Sequence, residues 1–377
     1  LYNHHFVKKK LSLTVKPEDI LAQVQFVSIR TYRRYAIITQ RKSVGGSNGG
    51  QRIMRTLKEI VVRPAGRKLP LFPQDASSIF VELGFGNGEF TEHLAREHSE
   101  SLVFGIEVSR SCVLKAALRA SRHSIANMYL LCGDARFLMR ECFPDDSISM
   151  VYMNFPCPWP KMRHEKRRLT GTGFSQDLAS VLKLDGTYEL TTDVKSFAEE
   201  MAEYLARSAS LVVDVRRRAE ARSFTTKYER KWLALGRPIF LLSARKVAGA
   251  STRRISLEED YRMHARFRGQ LPCLAEWKKF NGQGGTLQDG FWVYRDAYRS
   301  EDGMILLETI ATDQGFEQKY RLRIFSEEGR GIVKIDPYSF PFITPSVRMS
   351  VENIAARLDC IAEGESGMRR VSEDRSE

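Results

Sequence analysis

The chain has no C-x-x-C pair, although six cysteines occur in its 377 residues. Without such pairs, neither a common structural zinc site nor a disulfide framework is indicated, which favours a reducing compartment. No uninterrupted apolar run approaches the roughly 20 residues of a membrane-spanning helix, and the first ten residues contain no apolar signal-peptide core. We therefore expect a cytoplasmic protein with no membrane anchor and no metal site.

Acidic residues are the scarcer charged type, with 46 Asp and Glu against 59 Lys and Arg, and the net charge is +13. Such an excess favours a polyanionic partner. Nucleic acid is favoured over a membrane surface because no basic amphipathic helix or lipidation motif stands out. A basic surface that serves only solubility is the alternative that charge alone leaves open.

Pattern and composition divide the chain into four regions, and its length favours more than one domain. The predicted regions are an N-terminal accessory region over 1–70 with short strand patterns at 26–29 and 35–38, a domain over 71–248, a β-rich domain over 249–362 and a disordered tail over 363–377.

Strand and helix patterns alternate through the second region, which predicts parallel pairing and a doubly wound sheet. The predicted strands run over 78–83, 102–108, 128–132, 148–153, 187–192, 211–215 and 239–242, and the predicted helices over 89–97, 111–122, 136–142, 174–183 and 197–208. The third region instead predicts an antiparallel meander over 291–298, 304–312, 317–325 and 331–335, closed by a helix over 346–358.

A glycine-rich turn, Gly84-Phe85-Gly86-Asn87-Gly88, follows the first predicted strand and opens the first helix. Glycines at such a place permit a sharp turn and a close approach of backbone to ligand. The spacing differs from the G-x-G-x-x-G dinucleotide fingerprint, and no G-K-[ST] follows, so a nucleotide-phosphate loop is disfavoured.

Acidic residues stand at the ends of the first three predicted strands. Glu107 suits two ribose hydroxyls, Asp134 with the backbone of Ala135 suits an exocyclic amine, and Glu82 suits a cationic group. Each acid alone could be a solvated strand end. Three of them at one edge of a parallel sheet predict a ligand with an amine, a ribose and a cationic centre but no phosphate, which is S-adenosylmethionine.

The stretch from Asn154 to Arg168 contains three prolines, one tryptophan and five Lys or Arg after an apolar strand pattern. A stiff aromatic turn that leads into a cationic arm suits a nucleobase with its phosphates. A second basic run, Arg216 to Arg218, also suits phosphates. The alternatives are a packing role for Trp159 and solvated faces for both runs.

The segments Glu82 to Gly88, Gly105 to Val108 and Phe155 to Arg168 resemble the tRNA (guanine-N7-)-methyltransferases. Thr192-Asp193 and Thr226-Lys227-Tyr228-Glu229 agree with the same family, and the resemblance covers about residues 75–243. The resemblance implies a Rossmann-like class I S-adenosylmethionine-dependent methyltransferase fold, to which the N-terminal region and the C-terminal domain are additions. It also implies methyl transfer to N7 of guanosine 46 in tRNA.

The motifs and the resemblance give a full set of candidate site residues. The predicted cofactor-binding residues are Glu82, Gly84, Gly86, Gly88, Glu107, Asp134, Ala135 and Asn154. The predicted substrate-binding residues are Lys161, Arg163, His164, Lys166, Arg167, Arg168, Asp193, Thr226, Lys227, Tyr228 and Glu229.

Cys157 stands where the family pattern F-P-D-P-W has an aspartate that is described as catalytic. A thiol neither accepts hydrogen bonds as a carboxylate does nor carries its charge near neutral pH unless its pKa is lowered. Guanine N7 already presents an in-plane lone pair, so alignment can replace a general base. Cys157 is therefore interpreted as a small residue in the turn; a nucleophilic role and polar contacts from Asn154 stay open.

The departure at Cys157 keeps two other functions open beside the tRNA methyltransferase. One is an RNA-binding protein that retains the S-adenosylmethionine pocket with impaired catalysis, and the other is a methyltransferase for another RNA. The sequence does not separate a monomer from a homodimer.

Overall fold

The computed structural model describes residues 55–62, 78–157, 173–218, 224–255 and 264–363. The strand patterns at 26–29 and 35–38 and the tail after 363 lie outside these ranges. Two sheets organise the described residues, one of eight strands and one of six.

The first sheet has the strand order β1-β4-β3-β2-β5-β6-β8-β7. Its strands are β1 (Val61–Val62), β2 (Ile79–Leu83), β3 (Leu102–Glu107), β4 (Met128–Cys132), β5 (Ile148–Asn154), β6 (Leu182–Thr192), β7 (Leu211–Arg217) and β8 (Phe240–Lys246). Its helices are α1 (Leu57–Ile60), α2 (Glu89–Glu97), α3 (Arg110–Arg122), α4 (Ala135–Cys142), α5 (Phe174–Val181), α6 (Lys195–Leu205) and α7 (Lys227–Ala234).

Helices cover this sheet on both faces, as the alternating pattern predicts. On one face α2 and α3 bury residues such as Phe90, Leu94 and Val113 against the strands. On the other face α4, α5 and α6 bury a second cluster that includes Phe137 and Phe174. The doubly wound sheet is therefore confirmed for the strands from β1 to β6, which pair in parallel.

The expectation of parallel pairing is wrong at one edge, where β8 pairs antiparallel with both β6 and β7. A parallel connection needs a helix that crosses the sheet and packs on it. The helix between β7 and β8 is α7, and Glu229 is its only buried residue. Because α7 does not cover the sheet, the chain re-enters it from the end at which β7 leaves.

Two element boundaries also differ from the prediction. The helix α5 ends at Val181, and β6 starts at Leu182 rather than at 187. The early part of β6 is irregular, because its pairing with β5 shifts between Ile148 and Met150 and Asp185 adopts a positive φ of 62°. Short α1 and β1, from the predicted accessory region, extend the sheet beside β4.

The second sheet is antiparallel throughout, with the order β10-β11-β12-β13-β14-β9. Its strands are β9 (His264–Arg268), β10 (Gly284–Leu287), β11 (Gly290–Arg299), β12 (Ile305–Asp313), β13 (Phe316–Glu327) and β14 (Arg330–Ile335), and its helices are α8 (Leu274–Lys278) and α9 (Pro345–Ala362). The predicted meander and closing helix are confirmed. The edge strands β9 and β10 were not predicted, because glycines and charged residues replace the apolar alternation there.

A ring stack joins the second sheet to the first. The rings of Phe137 on α4 and Phe316 at the start of β13 are parallel within 4°, with centroids 3.5 Å apart. Phe342 meets the same Phe137 ring edge-on at 4.8 Å. Arg254 adds hydrogen bonds to the carbonyls of Arg140 and Phe143 at 2.8 and 3.0 Å. The helix α4 is thus packed between the two sheets.

In the ranges that the structure describes, no helix is long and apolar enough to cross a membrane.

Replacing Gly88 by alanine should destabilise the fold. Gly88 has a φ of 76°, and a Cβ there would lie 2.5 Å from the Cβ of Ala116 on α3. Backbone strain and overpacking together predict a loss of about 2–4 kcal/mol in the free energy of unfolding, measured by chemical denaturation.

The matched control is Gly249→Ala, because a Cβ at Gly249 would meet nothing within 4 Å and its φ is not left-handed. It should change stability by less than about 0.5 kcal/mol. Equal stability of the Gly88 variant and the control would contradict the packing role.

Candidate active site

The glycine turn after β2 requires glycine for its backbone conformation. Gly84, Gly86 and Gly88 have positive φ values of 69°, 57° and 76°. At Gly84 and Gly86 a Cβ would meet nothing within 4 Å, so these two residues border open space. Gly88 differs, because it faces α3. The first two glycines therefore leave room for a ligand. The third lets the start of α2 pack closely against α3.

Glu107 is fixed beside this turn by two backbone hydrogen bonds. Its Oε2 accepts from the Gly86 amide at 3.1 Å, and its Oε1 accepts from the Ser109 amide at 2.9 Å. Each carboxylate oxygen has a further lone pair that can accept another hydrogen bond. The carboxylate is thus held in place at the end of β3, which suits the two hydroxyls of a ribose.

Asp134 is exposed and caps the N-terminus of α4 after β4. Its Oδ1 accepts from the Phe137 amide at 2.9 Å. Ala135 is the first residue of the helix. A capping carboxylate faces the positive end of the helix dipole, so this aspartate is oriented before any ligand binds.

Glu82 is buried, with 2% of its surface exposed, and it joins three elements. Its Oε2 accepts from the Thr91 hydroxyl of α2 at 2.5 Å, and its Oε1 accepts from the Asn154 amide of β5 at 3.1 Å. Both contacts satisfy a carboxylate that would otherwise be costly to bury. Glu82 thereby fixes the side chain of Asn154 at the end of its strand.

The topology brings these groups to one edge. Strands β4, β3, β2 and β5 are adjacent and parallel, so their carboxyl ends meet. The register pairs Leu83 with both Ile106 and Met153, and Glu107 with Cys132. All the predicted cofactor-binding residues therefore lie at this edge of the sheet.

The chain turns sharply after β5. Phe155 has a positive φ of 49°, and its amide donates to the Thr191 carbonyl at 2.8 Å. Cys157 is exposed at the end of this turn. The rest of the stretch from Asn154 to Arg168, called the Pro-Trp segment, lies outside the described residues. The predictions for Trp159, Lys161, Arg163, His164, Lys166, Arg167 and Arg168 therefore stay predictions.

Tyr188 on the neighbouring β6 donates to the Met153 sulfur at 3.5 Å, below the strand ends. Complete burial strongly raises the pKa of this phenol, so Tyr188 is a neutral packing group.

The remaining predicted substrate residues have partners of their own. Asp193 follows β6, and its Oδ2 lies 2.9 Å from Nη1 of Arg237. Thr226 accepts from the Glu229 amide at 3.2 Å in a capping box that begins α7. Lys227 and Tyr228 are exposed. The exposed pair is therefore better placed than Glu229 to contact a substrate.

Arg218 pairs with the buried carboxylate of Glu229, and only 10% of its side chain is exposed. The predicted phosphate contact is wrong for Arg218, because this ion pair removes it from the surface. Arg216 and Arg217 are exposed. The basic run thus divides into one structural and two accessible cations.

Three residues of this region, Thr91, Glu89 and Arg230, were not predicted from the sequence. Thr91 binds Glu82, and Arg230 binds Glu89 through Nη2 and Oε2 at 3.1 Å, which joins α7 to the start of α2. No local pattern marks them, because each partner lies on a different element. A cavity of about 290 Å³ beside this contact is lined by Glu89, Glu92, His93, Arg96, Arg119, Phe224 and Arg230.

Within the described ranges, no group of three His, Cys, Asp or Glu side chains is placed to hold a metal ion.

The doubly wound sheet has an antiparallel strand inserted at one edge, a glycine turn follows its first core strand, and acids stand at the ends of the next strands. Together these features define a Rossmann-like methyltransferase. Residues 76–242 match the family model Methyltransf_4, described as "Putative methyltransferase".

The curated relatives make the assignment narrower. The chain is 40% identical over 303 residues to a tRNA (guanine-N(7)-)-methyltransferase of Thermotoga maritima, covering 78% of this chain and 95% of that protein. It is 31% identical over 308 residues to the tRNA (guanine-N(7)-)-methyltransferase of Thermus thermophilus, covering 80% and 96%. The chain belongs to the family of S-adenosylmethionine-dependent tRNA (guanine-N7-)-methyltransferases.

The family contains shorter chains as well. A relative from Oceanobacillus iheyensis is 34% identical over 170 residues, covering 44% of this chain and 79% of that protein. The longer matches, of 303 and 308 residues, cannot fit within residues 71–248. The similarity to the longer relatives therefore extends into residues outside the predicted methyltransferase domain.

Replacing Glu107 by alanine should weaken S-adenosylmethionine binding by about tenfold or more, since hydrogen bonds to a charged group contribute about 1.5–3 kcal/mol. Isothermal titration calorimetry measures the affinity. A melting curve shows whether the loss of the Gly86 and Ser109 contacts also lowers stability.

Glu203→Ala is the matched control, because Glu203 is an exposed acid on α6. It should bind the cofactor as the wild type does. An unchanged affinity in the Glu107 variant would contradict the ribose assignment.

Proposed function

We propose that this chain transfers the methyl group of S-adenosylmethionine to N7 of guanosine 46 in tRNA. The observation that carries the proposal is the 40% identity along 95% of the Thermotoga maritima tRNA (guanine-N(7)-)-methyltransferase. The arrangement of the strand ends supports it independently.

The residues at this edge fit the cofactor. Open space at Gly84 and Gly86 admits a ligand against the backbone, and Glu107 is oriented to accept from two hydroxyls. Asp134 stands one strand further, where an exocyclic amine would lie. S-adenosylmethionine, when bound, supplies a methyl group on a sulfonium centre that a nucleophile can attack.

The chain's own residues have a positioning task. Guanine N7 carries an in-plane lone pair, so no proton needs to be removed before attack. Holding the purine in line and excluding water can supply most of the rate acceleration. Asn154 ends β5, is held there by its hydrogen bond to Glu82, and begins the stretch from Asn154 to Arg168 that is predicted to bind the substrate.

Labelled S-adenosylmethionine and an unmodified tRNA transcript test this function. We expect about one methyl group per tRNA, recovered as 7-methylguanosine. A transcript in which adenosine replaces guanosine 46 is the matched control and should accept none. Equal labelling of both transcripts would contradict the position, and labelling of neither would contradict the activity.

A second candidate function rests on Cys157. Because a thiol replaces the aspartate of the family pattern, the chain could bind RNA and S-adenosylmethionine without turnover. The same assay separates the two: cofactor and tRNA binding with no methyl transfer would favour this candidate.

Cys157→Ser should retain methyl transfer within about threefold, because the proposed reaction needs neither a base nor a covalent intermediate at this position. Initial rates with saturating tRNA and cofactor measure the effect. Cys360→Ser is the control, since Cys360 is also exposed and lies on α9, which packs on the second sheet and not on the first. A loss of more than about a hundredfold in the Cys157 variant alone would instead assign chemistry to this thiol.

A further inference from the structure

The second sheet has one covered face and one open face. Every second residue along the strands faces α9, and these residues form a core that includes Leu322, Ile324 and Val333. The helix α9 contributes Val351 and Leu358 to the same core. The residues between them on β9, β13 and β14 point the opposite way and are exposed or half-buried.

This open face is strongly cationic. Its positions on β9, β13 and β14 are His264, Arg266, Arg268, Glu317, Lys319, Arg321, Arg323, Phe325, Glu327, Arg330, Ile332 and Lys334. Seven of these twelve residues are Lys or Arg and two are Glu, so the face has a clear excess of positive charge. Two of the seven pair with acids, Lys319 with Glu317 and Arg321 with Asp336, both at 3.4 Å.

Aromatic side chains lie among the cations. Phe325 is 37% exposed, and Nζ of Lys334 lies 4.8 Å from the centroid of its ring. The register places Phe325 beside Ile332, and Ile332 beside Arg266. A second row crosses five strands through Tyr298, Leu306, Arg323, Lys334 and His264. Tyr298 at the end of this row is 51% exposed.

We propose that this face, defined by Arg266, Arg323, Lys334, Phe325 and Tyr298 and called the open sheet face, is a second contact surface for tRNA. This inference rests on the proposed function, which supplies tRNA as the ligand. Cations bind phosphates, and exposed rings on a sheet provide platforms on which unpaired bases stack. A purely apolar partner would leave these cations without compensation, which makes a polyanion the better match.

The Phe325 end of the open sheet face lies away from the contact between the second sheet and α4. Phe316, at the start of β13, packs on α4, and Phe325 lies nine residues further along the same strand. At about 3.3 Å per residue the separation along the strand is about 30 Å. An RNA that contacts Phe325 as well as the methyltransferase domain must therefore extend beyond the nucleotides next to the target base.

Binding of the unmodified tRNA transcript, measured by fluorescence anisotropy over a range of salt concentrations, tests the phosphate contacts. The variant Arg266→Gln with Lys334→Gln should bind about tenfold more weakly at low salt. The slope of log affinity against log salt should become shallower by about 1.4–1.8 for two lost phosphate contacts.

The matched control is Lys278→Gln with Lys279→Gln, which removes the same charge near α8, on the covered side of the sheet where Trp277 packs into the core. It should bind as the wild type does. If both double variants bind tRNA equally well and with equal slopes, the open sheet face does not contact tRNA.

Phe325→Leu tests stacking separately, because leucine removes the ring but keeps an apolar side chain and every charge. Affinity should fall about fivefold or more while the salt slope stays unchanged. An affinity equal to that of the wild type would remove Phe325 from the contact. The conservative pair Arg266→Lys with Lys334→Arg should retain the salt slope.

Kinetics separate a binding role from a structural one. The Gln double variant should raise KM for tRNA and leave kcat and the affinity for S-adenosylmethionine unchanged. A fall in kcat or in cofactor affinity instead would indicate a distorted domain and overturn the proposal. Sedimentation that shows a wild-type dimer and a monomeric Gln variant would do so too, because the face would then join two copies.

These measurements distinguish this inference from the proposed function. A wild-type chain that binds tRNA but transfers no methyl group would contradict the proposed reaction, while the affinity and salt slope would still report on the open sheet face.

Discussion

The arrangement of the active site depends on the buried carboxylate of Glu82. It accepts from Thr91 on α2 and from Asn154 on β5, and it stands at the end of the strand that carries the glycine turn. The helix α2 and the ends of β2 and β5 are therefore joined through one buried side chain. Removing either donor would take a hydrogen bond from a buried carboxylate, so the three elements hold each other in register.

The parts of the site that could be predicted from sequence are those set by local chemistry. The turn from Gly84 to Gly88 and the acids at Glu107 and Asp134 follow from a strand that ends at a ligand-binding edge. Thr91, Arg230 and the pairing of Arg218 with Glu229 could not be found, because each contact joins two different elements whose relative placement the sequence does not give. The antiparallel entry of β8 was missed for the same reason: pairing direction depends on where the chain returns.

The C-terminal sheet shows the same division. Alternation of buried and exposed residues along β12 and β13 predicts the core face without reference to any neighbour. The cations on the opposite face look scattered in the sequence. Only the register, which places Arg323 beside Lys334 and Phe325 beside Ile332, shows that they form one continuous surface.

The stack of Phe316 on Phe137 bears on how this family varies in length. A chain that ended before the second sheet would present Phe137 as an apolar ring on the outside of α4, directly after the cap formed by Asp134. The C-terminal sheet thus covers an apolar ring of the methyltransferase domain. Because this contact is lost when either unit unfolds, the two units should behave as a single cooperative body on heating.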